Sequence, residues 1–204
     1  MDIVAVVGLG NPGPEYAATR HNLGFWVVDE LAARWRVARW RNAYHARVAR
    51  RSGGHATWLV KPQDFMNCSG DPLAAFLRGE GLGLEQILVV VDDVELPLGQ
   101  LRLRSSGGAG THNGLRSLVD AVGEGFPRLR VGIRGEATWY DLADYVTAPF
   151  SREEEPLARD AAKAAADCVE MALRVGLGRA ATRYNRAPVV EPEAPPHSPK
   201  AGET

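Results

Sequence analysis

The feature that most constrains this 204-residue chain is an apolar run, Ile3–Val7, that passes directly into Gly8-Leu9-Gly10-Asn11-Pro12-Gly13 and then reaches Arg20-His21-Asn22. A short apolar run bounded by glycines predicts a central strand. From Asn22 to Arg34, the residues Phe25, Val28, Leu31 and Ala32 recur at helical spacing, so a helix follows. Strand, glycine loop and helix in that order open an α/β layer, whose chemistry gathers at the carboxyl ends of the strands. Asn11 and His21 are expected near that end of the first strand. The same letters satisfy G-x-G-x-x-G. A dinucleotide site, however, needs an uninterrupted helix opening at the glycines, and an acid about 20 positions on at the end of a second strand. Here Pro12 and Pro14 interrupt the loop, and Asp29 and Glu30 fall inside the helix. Dinucleotide binding is therefore not expected.

The rest of the pattern extends the same architecture. Tyr44–Ala49 and Thr57–Lys61 read as two short strands joined by a turn at Ser52-Gly53-Gly54, and Ser69 is placed to cap a helix through Leu73, Phe76 and Leu77. Gln86–Val91 is β-branched and apolar, the composition of a core strand, and Asp92 ends it. Leu101–Arg104 alternates apolar and basic residues, which suits a strand with one wet face. A glycine-rich loop from Ser105 to Thr111 leads into a helix at about Gly114, and Leu129–Ile133 is another strand. Ser151, followed by Glu153 to Glu155, predicts a helix start, and Ala-rich sequence carries the helix to about Tyr184. Beyond Pro188 come Pro192, Pro195, Pro196 and Pro199 with little apolar content, the signature of a disordered tail. The expectation is one α/β domain over residues 1–186, with a mixed, mostly parallel twisted sheet flanked by helices on both faces and a C-terminal helix. A disordered Pro-rich tail would follow over 187–204. At 45% hydrophobic residues the chain can bury one good core.

A formal net charge of −1 gives no bulk signature of a nucleic-acid binder. From Leu31 to Gln63, however, there is no Asp or Glu, while Arg34, Arg36, Arg39, Arg41, Arg47, Arg50, Arg51 and Lys61 all fall there. Such a stretch is either a solvated surface or a local basic face able to meet a polyanion. Cys68 and Cys168 cannot make a disulfide framework and match no metal motif. Without a charged-then-apolar leader or an apolar run of about 18 residues, the chain reads as cytoplasmic, with no membrane partner.

Polar side chains cluster at predicted strand ends and helix starts: Asn11, Asn67 in Lys61-Pro-Gln-Asp-Phe-Met-Asn67, Asp92, and His112-Asn113. Together with His21 they offer a base, a carboxylate and three amides. A carboxylate that accepts from one imidazole nitrogen fixes the tautomer and frees the other nitrogen to take a proton from water. Asparagines supply uncharged donors and acceptors that orient a carbonyl or stabilise an oxyanion. No serine or cysteine sits in a nucleophile elbow. The residues alone therefore point to water attack on a carbonyl with His21 as base. Taken singly, Asn11 and Asn67 also suit turns, Asp92 a turn acid and His112 a helix terminus.

These segments together resemble the bacterial-type peptidyl-tRNA hydrolase family. The resemblance runs through Val7–Gly13, Arg20–Phe25, Lys61–Asn67 with Ser69-Gly70, Asp92–Gly99, His112–Leu115 and Phe126–Ile133, and covers about residues 3 to 185. It implies hydrolysis of the ester between a peptide and the 3′ ribose of tRNA, with peptidyl-tRNA as RNA partner, a monomeric enzyme, and neither metal nor cofactor. It further implies His21 as general base, Asp92 as its orienting partner, and Asn11 as the residue that tells peptidyl-tRNA from tRNA carrying a free amino acid. By the same resemblance Asn67 and Asn113 hold the substrate around the ester. Tyr16 and Phe65 line the site for the tRNA end, and Arg104 and Arg130 grip the 5′ phosphate. The chain departs from the family pattern at Asp64-Phe65, at Thr111, and over Gly132-Ile133-Arg134-Gly135-Glu136. These departures leave open the alternative of a relative kept for RNA binding alone.

Overall fold

Strand β1 (Ala5–Gly8) occupies the middle of a seven-stranded sheet with β4 (Trp58–Pro62) on one side and β5 (Ile87–Pro97) on the other, both parallel to it. This computed structural model describes residues 2–53, 57–135 and 141–185. β7 (Arg128–Arg134) adds parallel to β5, and β6 (Leu101–Arg104) closes that edge antiparallel to β7. At the other edge β3 (Ala46–Arg50) runs antiparallel to β4, and β2 (Trp40–Ala43) antiparallel to β3. The order β2-β3-β4-β1-β5-β7-β6 is the mixed, mostly parallel α/β sheet expected from the sequence. The C-terminal stretch 187–204, read above as a tail, lies outside the described residues.

The strand period sorts the core into two layers. Val6, Leu88 and Val90 face α1 (Leu23–Arg34), α5 (Glu154–Val175) and α6 (Leu177–Tyr184), whereas Ala5, Val7, Val89 and Val91 face α2 (Gly70–Glu80) and α3 (Asn113–Val122). Successive side chains on a strand point to opposite faces, so a continuous apolar run can feed both layers at once. The buried side of α5 is mostly alanine, including Ala158, Ala161, Ala165 and Ala172. Small side chains there let α5 approach α1 closely.

Gly8 and Gly24 explain the glycine motif in packing terms. A Cβ on Gly24 would lie 2.5 Å from the carbonyl oxygens of both Leu9 and Val90, and one on Gly8 would lie 2.2 Å from the Gly24 carbonyl oxygen. The start of α1 therefore rests backbone-on-backbone against the ends of β1 and β5. That contact sets the short 3-10 turn Arg20–Asn22, and with it His21, above the sheet edge.

Several local expectations need correction. β5 does not end at Asp92; it continues to Pro97, with a register shift against β7 between Asp93 and Pro97. Tyr44 does not start a strand. With His45 it forms the tight turn between β2 and β3, both with positive φ (59° and 52°), and β2 lacks the apolar alternation that would have announced it. Ser69 does not cap α2 through its side chain: its hydroxyl donates to the Met66 carbonyl, and the Gly70 N–H donates to Ser117 Oγ instead. The final helical region is two helices, broken at Gly176 (φ 90°). Ser151 does act as a cap, its Oγ accepting from the Glu154 N–H while the Glu154 carboxylate accepts from the Ser151 N–H. A further helix, α4 (Leu142–Thr147), capped by Asp141, had no clear signal because it is only six residues long.

Candidate active site

His21, Asp92 and His112 meet at the carboxyl edge of the central strands. His21 Nδ1 lies 2.9 Å from both oxygens of Asp92, and His112 Nε2 lies 3.0 Å from Asp92 Oδ1. The two imidazole rings are 4.8 Å apart between centroids. His112 is the N-cap of α3, where its Nδ1 accepts the Leu115 N–H at 3.1 Å. A neutral ring whose Nδ1 accepts must carry its proton on Nε2, so His112 donates to Asp92. His21 donates through Nδ1 to the same carboxylate, which leaves its Nε2 as an acceptor.

The electrostatics follow from burial and charge. Burial alone pulls the His21 imidazolium down, but the charge of Asp92 and the hydrogen bond to it reverse this, and the His21 pKa is raised from its ordinary value. Burial pushes the Asp92 carboxyl up, yet the two histidines, by charge and by hydrogen bonding, hold it well below the usual carboxylate range. Asp92 is thus a fixed anion. A neighbouring cavity of about 230 Å³ is lined by His21, Asp92, Asp93, His112, Asn113 and Arg130, with Leu142, Ala143 and Val146 on its α4 and α4-proximal wall.

Other sequence-predicted residues surround this centre. Asn11 is buried; its Oδ1 accepts the Met66 N–H at 2.7 Å, tying the glycine loop to the loop after β4. Asn22 clamps the Asn11 backbone from both sides, accepting its N–H at 2.7 Å and donating to its carbonyl at 3.0 Å. Asn67 is exposed on the 3-10 turn Met66–Cys68, and Asn113 opens α3. Tyr16 and Phe65 pair edge-to-face with centroids 6.1 Å apart, and Phe65 is 57% exposed. Arg130 donates to Asp93 Oδ2 at 3.2 Å and to the Gly108 carbonyl at 3.0 Å. Arg104 is exposed on β6, cross-strand from Arg128 and away from the cavity lining.

Sequence reasoning passed over three residues here. His112 was read as a helix terminus; its spacing to Asp92 carries no signal, because only the fold brings the glycine-rich loop back over β5. Asn22 was noticed as a helix start and not as a clamp. Arg128 is almost fully buried, stacks at 4.1 Å on Phe126, and donates to the carbonyls of Gly107, Gly108, Glu124 and Phe126. It pins the loop that delivers His112 and Asn113. Alternating positions on β6 and β7 put Arg102, Arg104, Arg128 and Arg130 on one sheet face.

The donor types of His21, Asp92 and His112 would suit a cation, and their ligand atoms lie within 4.8 Å of one another. Both imidazole contacts to Asp92 are already at hydrogen-bond length, so a cation would have to displace them. Among the described residues no serine or cysteine hydrogen-bonds to either ring.

An α/β sheet with a histidine–aspartate pair at its strand ends, an acceptor nitrogen facing a cavity and asparagines around it defines a hydrolase of the water-activating class. The comparisons narrow this. The family model for peptidyl-tRNA hydrolase matches residues 5–192. The chain is 44% identical over 198 residues to a peptidyl-tRNA hydrolase of Roseiflexus sp. (strain RS-1), covering 96% of this chain and 88% of that protein. It is 41% identical to the Aquifex aeolicus peptidyl-tRNA hydrolase, covering 93% and 100%. The crystal structure of peptidyl-tRNA hydrolase from Acinetobacter baumannii superposes with a TM-score of 0.85 at 34% identity, over 92% of this chain and 97% of that one. The chain belongs to the peptidyl-tRNA hydrolase family.

Proposed function

We propose that this protein cleaves the ester between a peptide and the 3′ ribose of tRNA by direct attack of water, with His21 as the general base. The observation that carries the reading is the His21–Asp92 pair, which leaves Nε2 as the one unengaged ring nitrogen of a buried histidine facing a cavity. A water held by Nε2 and Asn113 attacks the ester carbonyl, and its proton passes to Nε2. Asp92 stabilises the imidazolium that forms, as in a Ser–His–Asp site. When the tetrahedral intermediate collapses, Nε2 returns the proton to the departing 3′ oxygen, giving a peptide acid and a tRNA 3′ hydroxyl. Asn67 and Asn113 supply donors for the oxyanion and the substrate backbone. The second histidine, His112, keeps Asp92 in place and ionised.

The role of Asn11 follows from its hydrogen bonds. Its oxygen is taken by the Met66 N–H, so only the amide NH₂ is left to face substrate. A donor suits the acyl carbonyl of a peptidyl group. A free α-ammonium offers no acceptor and meets a donor, so aminoacyl-tRNA is disfavoured. Tyr16 and Phe65 stack the bases at the tRNA end, and Arg104 and Arg130 hold the 5′ phosphate, where contacts position the RNA without reading sequence. We read the protein as a metal-independent cytoplasmic monomer, one domain over 1–186 with an appended tail over 187–204; no helix among the described residues is long and apolar enough to cross a membrane. No observation favours the alternative of an RNA-binding relative without turnover.

The test is release of an N-acetylated amino acid from tRNA by the wild type and by His21→Ala, with chelator present. Chelator-resistant release that collapses in the variant is the expected result. Wild-type binding of the tRNA with the ester left intact would refute the assignment.

A further inference from the structure

A second cavity, of about 250 Å³, opens behind Asn11 on the side away from His112. Asn11 and Asn22 form one wall, Phe25 and Trp26 of α1 the floor, and Lys61 and Arg47 the strand side. Its chemistry differs from that of the first cavity because of two cations. Arg47 and Lys61 are direct cross-strand partners on β3 and β4 and share one sheet face. Both sit over the ring of Trp40, Arg47 at 5.6 Å and Lys61 at 5.0 Å from its centroid. Like charges facing each other across a ladder are unfavourable unless compensated. Lys61 is compensated, since its Nζ lies 2.5 Å from Asp29 Oδ1. Arg47 is exposed and, among the described residues, has no ion-pair partner. The cavity therefore carries one uncompensated guanidinium, its plane held against an indole and its edge available to an anion.

The two cavities lie on opposite sides of the catalytic edge, and the substrate has two halves. The proposed phosphate grip on β6 and β7 assigns the tRNA end to the cavity of His112 and Arg130. The acyl half must then leave toward Asn11. Its first carbonyl faces the Asn11 amide, and the residue behind that carbonyl is the first to reach the second cavity.

We propose that this cavity is a subsite for the penultimate residue of the peptide, and that Arg47 makes it favour an acidic side chain there. The proposal rests on the peptidyl-tRNA reading above and adds a substrate preference to it. Exposed ion pairs are modest, so the effect is a selectivity of about fivefold between opposite charges and not an absolute requirement.

The test uses the full-length protein and three substrates on one tRNA: N-acetyl-aminoacyl-tRNA, too short to enter the cavity, and two N-acetyl-dipeptidyl-tRNAs with penultimate Asp or Lys. For each enzyme, kcat/KM on the dipeptidyl substrates is normalised to the short one, which removes any general effect on folding or tRNA affinity. The wild type should prefer Asp over Lys by about fivefold. Arg47→Gln should bring the ratio to about one, Arg47→Glu should invert it, and Arg47→Lys should largely restore it. A wild-type ratio of one, or a preference for Asp that survives Arg47→Glu, overturns the proposal. Failure of the wild type to cleave even the short substrate would instead bring down the hydrolase reading, and this subsite with it.

Discussion

Replacing Asp92 with asparagine changes almost no volume but removes the charge and half of the acceptors at the centre of the site. The outcome can be worked out from the partners. His112 Nε2 must donate, because its Nδ1 is taken by the Leu115 N–H. The new amide therefore turns its oxygen toward His112, at the position of Oδ1, and places its NH₂ where Oδ2 stood, 2.9 Å from His21 Nδ1. An NH₂ there favours the tautomer in which Nδ1 accepts and Nε2 carries the proton, which is the wrong form for a base. In addition, the imidazolium formed during reaction loses its anion. The same change in a Ser–His–Asp site lowers kcat by about 10⁴; here a loss of about 10³ to 10⁴, or roughly 4–5.5 kcal/mol, is expected. The pH dependence moves as well. Burial pulls the His21 pKa down, and only Asp92 raises it above 6.5. The acid limb of the wild-type rate should thus lie above pH 6.5 and that of Asp92→Asn below it. Stability carries the matching sign. The raised His21 contributes stability that is complete below its ordinary 6.5 and fades as pH rises through its folded value. The lowered Asp92 contributes above its ordinary 3.8 and fades as pH falls through its own folded value. Single-turnover release of N-acetyl-aminoacyl groups from tRNA between pH 5 and 8, corrected for spontaneous ester hydrolysis, measures both rate and limb. A variant within tenfold of wild type, or with its acid limb unmoved, would refute the account of His21 and Asp92.

Two further outcomes follow from the packing. Gly24→Ala places a methyl 2.5 Å from two backbone carbonyl oxygens that cannot move independently of β1 and β5; overpacking of this kind should destabilise the fold by about 1–3 kcal/mol in urea titration, and shift His21 enough to lower kcat, whereas an unchanged midpoint would contradict the close helix–sheet contact. Phe65→Ala should leave the urea midpoint nearly unchanged because the ring is 57% exposed. It should raise KM for tRNA substrates by the equivalent of about 1–3 kcal/mol of lost stacking, and an unaltered KM would remove Phe65 from the substrate path.

What the sequence determined by itself was local. Periodicity fixed the α/β alternation, because side-chain period is a property of each segment. The proline and acid positions around Gly8–Gly13 argued against a nucleotide loop before any fold was known, and Gly24 then supplied the packing reason for the glycines. Asn11, His21 and Asp92 were recognisable as polar residues at strand ends. The tertiary structure decided which of them touch. His112 lies 20 residues from Asp92, and it reaches the carboxylate only because Arg128, buried and bonded to four carbonyls, folds the glycine-rich loop back over β5. Likewise the donor-only face of Asn11 depends on the Met66 N–H, 55 positions away. The pairing of Arg47 with Lys61 over one indole is a matter of strand register. Periodicity is written in neighbouring residues, whereas hydrogen-bond partners and charge compensation are set by long-range contacts, and these exist only once the sheet has closed.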